Sequence, residues 1–160
     1  MGGSSSGSYS SIGDVRALEE KAKRALEQGK RRNVFISFAF EDVDSVNLLR
    51  AQAKNERNEL EFNDRSVREA YDSDRAEYIR RRLAERINQA STTVVYASEH
   101  TASSRWVEWE VNKSLELGKR VIVTYAGNAP PPRLPDWLRP RQNVSHTPWS
   151  GLAGALQEGE

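Results

Sequence analysis

The 160-residue chain sets 24 Lys and Arg against 23 Asp and Glu, for a net charge of +1, with 37% apolar residues and a mean hydropathy of −0.75, as expected for one soluble domain of roughly 100 to 200 residues rather than two. The charge balance argues against a nucleic-acid coat, which needs a strong positive excess. The lack of cysteine excludes disulfides, a thiolate nucleophile and Cys-ligated zinc, so a reducing, cytoplasmic setting is expected.

Residues 1–13 (MGGSSSGSYSSIG) are rich in Gly and Ser, lack the basic start and apolar stretch of a signal peptide, and read as a disordered tail. Gly2 with Ser6 fits the permissive N-myristoylation pattern, as Gly/Ser runs do by chance. Asp14 is a good N-cap for an amphipathic helix over 14–30, with Val15, Leu18, Ala22, Ala25 and Leu26 on one stripe and Gly29 as a stop. Such a stripe is expected to pack on the domain that follows, 31–160, or on a partner subunit. Lys30, Arg31 and Arg32 suit the negative end of that helix dipole.

From residue 33 short apolar runs alternate with longer amphipathic segments, the pattern of an α/β fold with a parallel sheet. Val34–Phe40 (VFISFAF) reads as a buried first strand, followed by a helix over 43–56 on Val43, Val46, Leu49 and Ala53. Leu60–Phe62 is a short second strand, and Asn63–Asp74 a long polar loop. Residues 75–90 form a helix on Ile79, Leu83, Ile87 and Ala90. Thr92–Ala97 (TTVVYA) is an interior strand, and Arg105–Leu117 a helix buried through Val107, Val111 and Leu115 and closed by Gly118. Arg120–Ala126 is a fourth strand; Pro130, Pro131, Pro132 and Pro135 then exclude regular structure before one short edge strand within Gln142–Trp149. The longest apolar runs, Thr93–Ala97 and Val121–Ala126, fall far short of the roughly 20 residues of a membrane span.

A doubly wound sheet of this kind binds ligands beyond the carboxyl ends of its strands, which directs attention to the loops after Phe38, Phe62 and Ala97. Neither GxGxxG nor GxxxxGK[ST] occurs, so the common dinucleotide and phosphate-loop signatures are missing. His100 and His146 have no partners at metal-ligand spacing, and no GxSxG elbow supports a triad of Ser103 with His100. A phosphorylatable receiver needs an acid where the TTVVYA strand ends in Tyr96, Ala97 and Ser98; Glu41, Asp42 and Asp44 read as first-turn helix charges.

One motif is more specific. Ser104-Arg105-Trp106-Val107-Glu108-Trp109-Glu110 opens the helix after TTVVYA, and i, i+4 spacing puts Trp106 and Glu110 on one face. With VFISFAFED on the first strand and the apolar TTVVYA, this segment resembles a TIR domain (Toll/interleukin receptor fold), and SSRWVEWE fits the Ser-x-Trp-x-x-x-Glu arrangement of NAD-consuming TIR enzymes. The stretch from LLRAQAKN through SEHTASSRWVEWEVNKSLELGKRVIV looks most like the TIR-like proteins of bacterial Thoeris antiphage systems. The loop NDRSVREAYDSD departs from receptor TIR domains, which carry Pro-Gly there, and Val107 replaces a cysteine frequent in the family.

The resemblance implies a flavodoxin-like α/β fold and an enzyme that cleaves NAD as substrate, with no metal and no further cofactor. Breaking the nicotinamide–ribose bond builds positive charge on the sugar, which a carboxylate stabilises, and Glu110 is the implied catalytic residue. Ser37 and Phe38 would line the nicotinamide side, Trp106 would support the ribose, and Tyr71 would stack on adenine. Taken singly these residues have plainer readings: a helix-start Glu is commonly a dipole partner, Trp106, Trp109 and Phe38 are commonly core, and Arg75, Arg80, Arg81, Arg82 and Arg86 form a solvated face unless they serve an assembly or phosphate contact. The implied product is a nucleotide signal read by a separate effector, with homo-oligomers forming on activation. A non-enzymatic scaffold and a nucleotide-binding sensor are the alternatives.

Overall fold

The computed structural model describes residues 15–20, 33–55, 61–63 and 71–158, and the chain divides into two units, Met1–Arg32 and Asn33–Glu160. In the first unit residues 15–20 are helical, with Val15 and Leu18 exposed. The tail 1–13 and the remainder of the expected helix 14–30 lie outside the described residues.

The second unit is built on strands β1 (Asn33–Ser37), β2 (Glu61–Asn63), β3 (Thr92–Tyr96), β4 (Arg120–Tyr125) and β5 (Val144–Pro148). They form one sheet in the order β2-β1-β3-β4-β5, every pair parallel. Between and after them run helices α1 (Val43–Asn55), α2 (Ala76–Gln89), α3 (Arg105–Glu116) and α4 (Trp149–Glu158). Parallel strands are buried on both faces, which is why β3 and β4 are near-continuous β-branched runs, all five residues of β3 being buried. Alternate residues point to opposite faces. Phe35, Val95, Val121 and Val123 pack against α2 and α3, whereas Val34, Ile36, Val94, Tyr96 and Ile122 pack against α1 and α4. This is the flavodoxin-like doubly wound fold that the alternating pattern predicts. Among the described residues no helix is long and apolar enough to cross a membrane.

One expectation needs correction. The first strand stops at Ser37, not Phe40: Phe40 is exposed and opens a 3₁₀ turn over Phe40–Asp42 that leads into α1. The short edge strand expected within 142–149 is β5, and after Pro148 the chain enters α4 directly, with Leu152 and Leu156 covering Val34, Val94 and Ile122. Gly151 permits that abrupt turn, because a β-carbon there would lie 2.6 Å from the Thr147 hydroxyl.

The proline-rich crossover between β4 and β5 takes the place of a helix. A 3₁₀ turn at Asp136–Leu138 drives Leu138 fully into the core beside Val121, Val123 and Val144, with Leu134 and Trp137 packed around it. His146 Nε2 is 2.5 Å from the Leu138 carbonyl oxygen, tying β5 to this crossover.

Candidate active site

The site is built where β1 ends against the middle of α3. Ser104 caps α3, its hydroxyl accepting from the Val107 N–H at 3.3 Å. At the other end Gly118, at φ 73°, reverses the chain. The N–H groups of Gly118 and Lys119 donate to the Leu115 and Ser114 carbonyls at 3.0 and 2.9 Å, a Schellman closure. Between these ends the buried stripe of α3 is Val107, Glu110, Val111 and Ser114, so a carboxylic acid occupies a position that an amphipathic helix normally gives to a hydrophobe.

Glu110 is 4% exposed and Ser37 is 1% exposed. Ser37 lies on the α3 face because it alternates with Ile36, and its hydroxyl donates to Glu110 Oε1 at 2.9 Å. Burial pushes the Glu110 carboxyl up to about 8, while the Ser37 hydrogen bond draws it down. At neutral pH the buried acid is therefore held mostly protonated.

The helix turn that carries Glu110 is itself fastened to the sheet. Ser114 Oγ donates to the Glu110 backbone carbonyl at 2.7 Å, and Thr93 Oγ1 lies 2.7 Å from Ser114 Oγ. With the Ser114 proton engaged, Thr93 is the donor of that second bond. Ser114→Ala removes the acceptor of a fully buried hydroxyl, and an expected loss of about 1 to 2 kcal/mol in denaturant unfolding follows. An unchanged midpoint and slope would remove this link from the account.

One turn before Glu110, Trp106 packs partly buried against Phe35, Leu83, Ile87 and Ala90 together with Trp109. The Tyr71 ring meets Trp106 edge-on, centroids 5.1 Å apart at 66°. Two guanidinium groups, of Arg80 and Arg105, each lie over the Tyr71 ring with Cζ 4.3 Å from its centroid. A purine stacking on Tyr71 would have to displace one of them. Arg80 therefore leaves the solvated arginine face expected of α2: it is half-buried, as is Arg86, whereas Arg75, Arg81 and Arg82 are exposed.

Of the residues singled out in the sequence, the structure brings Ser37 to Glu110 and Tyr71 to Trp106. It does not bring Phe38 to Glu110. The Phe38 side chain is buried with Ile36, Val46 and Tyr96 on the α1 face of the sheet, its core alternative. Asp42 is not a solvated first-turn charge either. It is 6% exposed and accepts from Ser98 Oγ at 2.5 Å, joining the turn after β1 to the loop after β3. Burial raises its carboxyl above the usual range, with the Ser98 bond opposing. A serine placed 56 residues downstream gives no local signal for this pairing. Among the described residues no three His, Asp or Glu side chains are grouped to hold a metal ion.

The sequence model of the family described as Thoeris protein ThsB, TIR-like domain, matches residues 35–130. Among solved structures, the TIR domains in the activated Roq1 resistosome directly recognizing the pathogen effector XopQ are similar at 23% identity and a TM-score of 0.44. That match covers 61% of this chain and 59% of the other. Comparison with curated proteins gave no match.

Proposed function

We propose, from the premise that the chain belongs to the family of Thoeris ThsB TIR-like domains, that it cleaves the nicotinamide–ribose bond of NAD with Glu110 as the catalytic carboxylate. The observation that carries this reading is a single acid buried on the inner stripe of α3 and hydrogen-bonded to Ser37 at the carboxyl end of β1, where doubly wound folds take their ligands. In the reaction the C1′–N1 bond breaks and its electron pair neutralises the departing pyridinium. The cation left on the ribose is stabilised by the Glu110 carboxylate, and then water, or a nucleophile of the same nucleotide, adds to C1′ with loss of a proton. Cyclisation yields a diffusible nucleotide that a separate effector of the antiphage system reads.

Ser37 positions the carboxyl, and Trp106 supports the ribose beside it. Phe38 acts from behind, by packing under the β1 end rather than by touching substrate. Tyr71 serves through the cations it carries. Because Glu110 is buried and mostly protonated, the resting chain is weakly active, and assembly of subunits completes the pocket around the carboxyl.

The same burial favours, as second reading, a sensor that holds a nucleotide without turnover. Chromatography of NAD incubated with the protein across a range of protein concentrations separates the two. Nicotinamide release that rises more steeply than protein concentration supports the enzyme. Bound NAD recovered intact at every concentration supports the sensor, and no binding at all leaves the scaffold.

A further inference from the structure

The cationic aromatic cluster over Tyr71 is not used by the chemistry at Glu110. Arg80 comes from the second turn of α2 and Arg105 from the first residue of α3, and each guanidinium carbon lies 4.3 Å from the same ring centroid, so the two charges stand within twice that distance of one another. Like charges so close repel one another.

The compensation within the cluster is incomplete. Arg105 Nη1 pairs with Asp72 Oδ2 at 2.7 Å, both side chains being largely exposed. Arg80 Nη2 donates to the Tyr71 backbone carbonyl at 2.9 Å. Its Nε is buried without a hydrogen-bond partner, and among the described residues no carboxylate pairs with it. Two arginines are thus held in place by one tyrosine, with donors to spare and one acid between them.

We propose that Arg80 and Arg105 form a clamp for a diphosphate, the dianionic bridge of a dinucleotide or nucleoside-diphosphate sugar. Guanidinium forks match phosphate oxygens in pairs, and a doubly charged bridge cancels the repulsion between the two arginines. This assignment rests on the reading of Glu110 given above for the direction in which the nucleotide runs. Trp106 is four residues, about 6 Å of helix, from Glu110, and Tyr71 packs on Trp106. That interval is filled by one ribose and its exocyclic methylene when the anomeric carbon sits at Glu110.

The test uses the whole chain and binding rather than turnover. Inorganic pyrophosphate, ADP-ribose and nicotinamide riboside are titrated calorimetrically. Pyrophosphate and ADP-ribose are expected to bind, and Arg80→Gln and the exposed Arg105→Gln each to weaken both by roughly tenfold. Nicotinamide riboside, which lacks the bridge, should be indifferent to either change. Asp72→Asn removes the competing acid and is expected to tighten pyrophosphate several-fold, an outcome that damage to the fold would not produce. If pyrophosphate fails to bind, or binds the two arginine variants as well as the parent chain, the clamp is overturned. Arginine-dependent ADP-ribose binding without NAD cleavage under any condition keeps the clamp and removes the enzyme. NAD cleavage that needs Glu110 but ignores both arginines does the reverse.

Discussion

Glu110→Gln is expected to lower nicotinamide release by at least about a hundredfold to a thousandfold, the range seen when one electrostatic partner of a transition state is removed. Glutamine is nearly isosteric, and its Oε1 can still accept from the Ser37 hydroxyl that donates to Glu110 at 2.9 Å. The fold is therefore retained while the charge is lost. NAD turnover by the variant equal to that of the parent, under conditions where the parent is active, would end the assignment.

The same substitution has an opposite effect on stability, and its sign follows from linkage. The Glu110 carboxyl titrates at about 8 in the fold against 4.5 when unperturbed. Below the lower value both states are protonated and nothing is gained or lost. Between the two the unfolded chain releases its proton while the native chain keeps it, so stability falls as pH rises, by about 1.4 kcal/mol for each pH unit. Above the native value the loss levels off. Glu110→Gln escapes this loss, so it should unfold at markedly higher denaturant than the parent at about pH 8.5 and at nearly the same denaturant at about pH 4.5. Loss of function with gain of alkaline stability identifies a residue held against its own ionisation, as active-site acids are.

How much of this was legible in the sequence differs by element. The strands announced themselves because a parallel sheet buried on both faces requires apolar, β-branched runs, and VFIS, TTVVY and RVIVTY are such runs. Helix α4 did not, because Gly151 and Gly154 dilute the helical signal of Trp149, Leu152 and Leu156, and Gly151 answers to a contact with Thr147 rather than to propensity. Glu110 is singled out by the motif around it. Its place between Val107 and Val111 on the buried stripe was a further local clue, since an acid there has to be either paired or functional. Asp42 with Ser98, Arg80 with Tyr71, and Thr93 with Ser114 join residues between 9 and 56 positions apart. No periodicity encodes those pairs; the packing of helices and loops on the sheet brings them together.

The pH dependence of NAD cleavage carries the second large effect. The profile of kcat/KM reports the free protein, in which Glu110 must give up its proton before it can stabilise a cation. With the carboxyl pushed up to about 8, kcat/KM should climb close to tenfold per pH unit from about pH 6 and flatten only above the native value. Ser37 sets where the climb ends. Its hydroxyl donates to the carboxyl and favours the ionised form. Ser37→Ala removes that donor from a position 1% exposed, where water does not replace it. The inflection should then move to still higher pH, with the rate at neutral pH falling and the alkaline plateau largely recovered. A merely structural serine would lower the plateau and leave the inflection in place. A profile flat between about pH 6 and 9 in the parent chain would mean that the reacting form of Glu110 is already ionised, and that the buried, protonated arrangement lies outside the catalytic path.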